Sequence, residues 1–145
     1  MAVIAVTKER RAAETRVAAT PETVKKLIAS GFSVVVEAGS GTAASYQDAD
    51  YAAAGATLAK TAKEAIGKAD ILFKVRAPVD EEVAALKSGA IVVATLNPHQ
   101  NKDALKALAA GPGGGDRCAD GGFVFDDAIG EPGDQARSRA FQPRV

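Results

Sequence analysis

The chain has 145 residues, 47% of them hydrophobic and 25% charged, enough for one domain with a real core and too few for two comfortable ones. Eighteen basic and eighteen acidic side chains cancel, and the two Tyr, five Phe and absent Trp leave few stacking platforms. That balance argues against a nucleic-acid partner and against an anionic membrane surface. A lone Cys118 excludes an internal disulfide and a cysteine-based zinc site, and no metal site is expected. No apolar run approaches the ~20 residues of a membrane span, and the charges of MAVIAVTKERR follow its apolar run, the reverse of a secretory signal. The chain reads as cytoplasmic.

In chain order, AVIAV (Ala2 to Val6) reads as a first strand, followed by the polar loop TKERRAAETR. The segment TPETVKKLIASG reads as a helix. Thr20 can cap it, Pro21 suits its first position, and Glu22 favours the positive end of its dipole. Val24, Leu27 and Ile28 share one face, and Gly31 supplies the stop. FSVVVE is the second strand, and DADYAAAGA is at most a short helix, weakened by Gly55. Thr61-x-x-Glu64 opens a helix over TAKEAIGKA with a capping-box pattern. DILFKV (Asp70 to Val75) is the third strand, ended by Pro78, and DEEVAALK is a helix with acids at its start. AIVVAT (Ala90 to Thr95) is the fourth strand, and NKDALKALAA is a helix with Asn101 as its cap.

Strands that alternate with helices of this length predict βαβ units. The fold class is α/β, a doubly wound, mainly parallel sheet in a Rossmann-like or flavodoxin-like three-layer domain, here incomplete, over residues 1–110. Its strands are continuous apolar runs, as expected when both sheet faces are covered. Ligands in such sheets gather at the carboxyl ends of the strands. Residues 111–145 differ: they hold eight of the fourteen glycines and three of the six prolines, which leaves no helical period and only GFVF as a strand-like run. This tail reads as mostly disordered.

Several residues are candidates for chemistry. Gly39-x-Gly41-x-x-Ala44, after the second strand, fits the glycine pattern of a dinucleotide turn. A poor helix follows it, however, and no ribose-binding acid ends a strand about 20 residues later, so it reads better as a surface turn. Arg16 is either a partner for Glu14 or a guanidinium aimed at a carboxylate or phosphate beside the first helix. Lys74 interrupts the apolar run of the third strand near its carboxyl end, where a buried ammonium is costly unless it faces a pocket or a partner. His99 follows the fourth strand, a suitable place for an acid–base residue, but no fixed partner is visible. Cys118 has no base nearby, and Asp80, Glu81 and Glu82 look like a helix-start cluster.

The segment from Val6 to Ala56, followed by ILFKVRAP and LNPHQN, resembles the N-terminal domain shared by alanine dehydrogenases and the alpha subunit of proton-translocating NAD(P) transhydrogenase. The most specific stretch comprises Lys8, Glu9, Glu14, Arg16, Val17, Ala18, Thr20 and Pro21. ETRVAATP and KVRAPVDEEVAAL resemble the transhydrogenase branch more. In the alanine dehydrogenase branch, the resemblance places a keto acid on the positions of Arg16 and Lys74. It also places a catalytic histidine where Asn97 stands here, two residues before His99. The displacement implies a transhydrogenase, in which hydride passes directly between nicotinamides with no acid–base residue.

The resemblance implies NAD(H) and NADP(H) as cofactors of a complete, Re/Si-specific enzyme coupled to proton translocation. The cofactor turn would lie on a later Rossmann domain, so neither tight cofactor binding nor activity is expected of this chain alone. Its expected partners are the other transhydrogenase domains or subunits, with two alpha subunits pairing, peripheral to the inner membrane. A non-catalytic fragment with only an interaction role is the further alternative. The family's continuation, with an A-Q-S-x-D segment, finds no match after residue 110. The tail is therefore expected to be a frameshifted or mis-called gene end.

Overall fold

The computed structural model describes residues 1–96 and 102–109, which build a five-stranded, wholly parallel sheet with helices on both faces. The strands are β1 Val3–Val6, β2 Ser33–Glu37, β3 Thr57–Ala59, β4 Ile71–Arg76 and β5 Ile91–Thr95, in the order β3-β2-β1-β4-β5. Of the two doubly wound orders expected, this is the Rossmann one. The helices are α1 Pro21–Ala29, α2 Asp48–Ala53, α3 Ala62–Gly67, α4 Asp80–Ala85 and α5 Lys102–Ala109.

The helix ends follow from local chemistry. Thr20 Oγ1 accepts from the Thr23 amide at 3.2 Å and starts α1. Gly31, with φ of +93°, ends it, while the Phe32 amide returns to the Leu27 carbonyl. Thr61 Oγ1 accepts from the Glu64 amide at 3.2 Å, and Glu64 reaches back to the Lys60 amide at 3.0 Å, one residue before the position a capping box would use.

Period-two alternation along the strands separates two apolar clusters. Ile4, Val6, Val34 and Val36 pack with Val24 of α1 and Tyr51 of α2 on one face. Ala5, Leu72, Val92 and Ala94 pack with Ala65 and Ile66 of α3 on the other, and Leu108 of α5 adds to that side. Both faces are covered, which is why the strands read as unbroken apolar runs. The edge strand β3 is not expected from the sequence. Its three residues carry too little pattern, with Thr57 and Leu58 exposed and only Ala59 buried.

The chain leaves β1 toward β2 on one side and reaches β4 on the other, so the loops after β1 and β4 diverge at the carboxyl end of the sheet. The pairing of β4 with β5 slips there. Phe73 faces Val93, but Arg76 faces Thr95, so three residues on β4 oppose two on β5. This bulge moves Arg76 to the face of Phe73 and Val93, which is the α1 face, and leaves Lys74 on the α4 face with Leu72.

Candidate functional site

At the carboxyl end of the sheet, charged side chains from β2, β4, α4 and the loop after β1 form one buried network. The Lys74 ammonium is 1% exposed and lies 3.2 Å from Glu82 Oε1 and 3.7 Å from Glu9 Oε2. It also donates to the Lys8 carbonyl at 3.0 Å. Glu82, in the first turn of α4, accepts from the Thr7 hydroxyl at 2.9 Å and from the Val79 amide at 3.1 Å. Glu37, at the end of β2, accepts from the Lys8 amide at 2.8 Å and from Arg10 Nη2 at 2.7 Å. A buried ammonium is tolerable only with partners of this kind.

Glu9 serves the bulge as well as the lysine. Its carboxylate accepts from the amides of Val75 at 2.7 Å and Arg76 at 3.3 Å, backbone donors that the slipped ladder leaves unpaired. On the opposite face, Arg76 Nε donates to Glu14 Oε2 at 2.9 Å. Arg16 grips the same carboxylate through Nε and Nη2, both at 2.8 Å. The Arg16 guanidinium in the main, with help from Arg76, holds the Glu14 carboxyl down at about 2. The Glu14 side chain is 6% exposed, against 65% for Arg16 and 44% for Arg76, so the cations form the rim and the acid lies beneath them. Ala13, just before Glu14, has φ of +65°, a left-handed conformation that disfavours residues with a side chain.

The glycine loop is built around Tyr51. Gly39 has φ of +78°, and its amide donates to Asp48 Oδ1 at 2.8 Å. Gly41 has ordinary backbone geometry, but a Cβ there would lie 2.6 Å from Tyr51 Cε2. A turn of 3-10 helix, Thr42–Ala44, follows instead of an α-helix. The amides of Ser40, Thr42, Ala44, Ser45 and Tyr46 all donate to carbonyls within residues 37–42. A dinucleotide pyrophosphate needs such amides free and a helix end behind them, so these residues do not fit it. Tyr51 is fully buried, and its hydroxyl donates to the Ala19 carbonyl at 2.9 Å. Burial pushes that phenol up to about 12. An open recess of ≈ 580 Å³ beside the loop is lined by residues that include Thr42, Tyr46 and Asp48, and it holds none of the buried charges.

Lys74 and Arg16 thus both lie at the carboxyl end of the sheet, at the switch point where the loops after β1 and β4 diverge, and each is already engaged by the chain's own carboxylates. The sequence does not single out Thr7, Arg10, Glu37 or the inward role of Glu9. Glu82 reads there as one of three helix-start acids, yet it is buried while Asp80 and Glu81 are not. A lysine inside an apolar strand is the available signal, since it requires a carboxylate nearby. Asn97, His99, Asn101, Cys118 and residues 111–145 lie outside the described residues. Among the described residues, no group of three or more His, Cys, Asp or Glu side chains is placed to hold a metal, and no helix is long and apolar enough to cross a membrane.

The family model for the alanine dehydrogenase/PNT N-terminal domain matches residues 5–114. An NAD(P) transhydrogenase alpha subunit of Rhodospirillum rubrum is 46% identical over 110 residues, covering 72% of this chain and 29% of that protein. Alanine dehydrogenase of Methanococcus maripaludis is 36% identical over 106 residues, covering 73% of this chain and 28% of that protein. The crystal structure of transhydrogenase from Sinorhizobium meliloti superposes with a TM-score of 0.71 at 41% identity, covering 74% of this chain and 32% of that one. The chain therefore matches less than a third of the length of each of these relatives.

Proposed function

The chain belongs to the alanine dehydrogenase/PNT family, whose N-terminal domain it carries over residues 5–114, and from that premise we propose that it forms the N-terminal layer of a transhydrogenase alpha subunit. In the complete enzyme, hydride passes between NAD(H) and NADP(H), with Re/Si stereospecificity and coupled proton translocation. The carboxyl end of this sheet closes over NAD(H) held by the Rossmann domain beyond it. Two nicotinamides at near-attack distance with water excluded are sufficient for that chemistry. The partners are the remaining transhydrogenase domains and a second alpha subunit, on the cytoplasmic side of the inner membrane. By itself the chain neither binds the dinucleotide tightly nor catalyses.

One observation carries the choice of branch. In a dehydrogenase Arg16 and Lys74 would hold a keto acid together, but the Lys74 ammonium is 1% exposed and taken by Glu9, Glu82 and the Lys8 carbonyl. The higher identity to the transhydrogenase relative points the same way. The alternative, an alanine dehydrogenase, is favoured only by the presence of both residues at the switch point.

A domain exchange tests the reading. Residues 5–109 replace their counterparts in the Rhodospirillum rubrum alpha subunit and, separately, in the Methanococcus maripaludis dehydrogenase. The expected result is hydride exchange between nicotinamides in the first chimera and no pyruvate amination in the second. The reverse pattern overturns the proposal, as would micromolar NADH binding by the isolated chain.

A further inference from the structure

We propose that Arg16 and Arg76, splinted by the carboxylate of Glu14 beneath them, form a binding site for a phosphate group at the rim of the switch-point crevice. Glu14 commits its two oxygens to Arg16 Nε and Nη2 and to Arg76 Nε. The remaining guanidinium N–H groups of both arginines have no partner among the described residues, and both side chains are substantially exposed. Two forks that would otherwise repel one another are thereby held together with their outer donors free, an arrangement suited to a tetrahedral oxyanion.

Charge favours phosphate over a carboxylate. The triad carries two positive charges and one negative, and the exposed Lys8 and Arg11 belong to the same loop, whereas Arg10 is already paired with Glu37. The acids of that loop and its neighbours, Glu9, Glu14, Glu37 and Glu82, have side chains no more than 8% exposed. A ligand therefore meets cations first. Two features keep the splint in place. The Glu14 carboxyl lies at about 2 and stays ionised throughout the neutral range. The left-handed backbone of Ala13 is a strained geometry retained next to it, as preorganised sites often show. The register slip in β4 is what brings Arg76 to the face of Arg16.

Direct binding by the 145-residue chain tests this site independently of the transhydrogenase reading. Arginine Nε–Hε resonances are followed by NMR while inorganic phosphate is added, and pyruvate is added to a second sample. The Arg16 and Arg76 signals are expected to move together and saturate with phosphate. Arg76→Gln should weaken binding about tenfold, the order expected for losing one charge-assisted fork. Arg16→Lys, which keeps the charge without the fork, should weaken it too, and the amide spectrum of the sheet reports that both variants remain folded. Glu14→Ala is decisive: a splint lost weakens phosphate binding, although a negative charge is removed. Tighter binding in Glu14→Ala, tighter binding of pyruvate than of phosphate, or unmoved Arg16 and Arg76 signals would each overturn the proposal.

Discussion

The Tyr51 hydroxyl donates to the Ala19 carbonyl across 2.9 Å, joining the segment that opens α1 to the helix behind the glycine loop. Both groups are buried, so neither can exchange this bond for water. Tyr51→Phe keeps the ring and removes the donor, and should cost about 1–2 kcal/mol because the Ala19 carbonyl is left unpaired. Tyr51→Ala also opens a cavity and should cost about 3–5 kcal/mol. Urea denaturation of the three chains checks both values and their order.

The two loop glycines should fail for different reasons. At Gly41 an added methyl meets the Tyr51 ring at 2.6 Å and Tyr46 Cβ at 2.9 Å, so Gly41→Ala should cost about 1–3 kcal/mol through overpacking. At Gly39 the nearest atom is Thr42 Oγ1 at 3.8 Å, and only the positive φ opposes a side chain. Gly39→Ala should cost about 1 kcal/mol. Tyr51→Phe removes one of the clashing atoms and should soften the first substitution without changing the second, which a double-variant stability measurement would show.

Lys74→Met leaves the buried Glu9 without its cation and Glu82 with only Arg10 at 3.8 Å, and should destabilise by about 3–5 kcal/mol. Adding Glu82→Gln should recover some of that loss, because one poorly paired charge is removed. An additive double variant in thermal denaturation would show that the ammonium and the carboxylate do not act as a pair.

Two limbs of the pH–stability profile follow from shifts of opposite kind. Glu14 is depressed from 4.5 to about 2, so its contribution is complete above 4.5 and is lost as pH falls toward 2. Tyr51 is raised from 10.0 to about 12, so its contribution is complete below 10 and is lost as pH rises through 12. Glu14→Gln should flatten only the acid limb and Tyr51→Phe only the alkaline one, measured as urea midpoints across pH. A change in the wrong limb would contradict the assignment.

What can be read in advance divides along physical lines. The caps at Thr20 and Thr61, the stop at Gly31 and the unbroken apolar strands are local, so the sequence displays them. The pairing of Arg16 with Glu14 is one of two readings open at that level, because residues two apart in a loop can meet without long-range help. The Lys74 cluster depends on Glu9, on the distant loop after β1, and on Glu82 facing inward, which only the fold determines. The strand β3 escapes notice because three residues, two of them exposed, carry no periodicity. The reason for Gly41 is also hidden, since it lies in the Tyr51 ring and not in the backbone angle of Gly41.

The slip in β4 decides which side of the sheet the end of the strand serves. Val75 drawn into the ladder opposite Thr95 would put Arg76 on the α4 side beside Lys74, because residues two apart in a regular strand share a face. Glu14 would then hold a single arginine, the side of Glu82 would carry a third cation beside Lys74 and Arg10, and Glu9 would cap amides that no longer need it. One peptide unit thus works as a routing device, sending one positive charge to each side of the sheet.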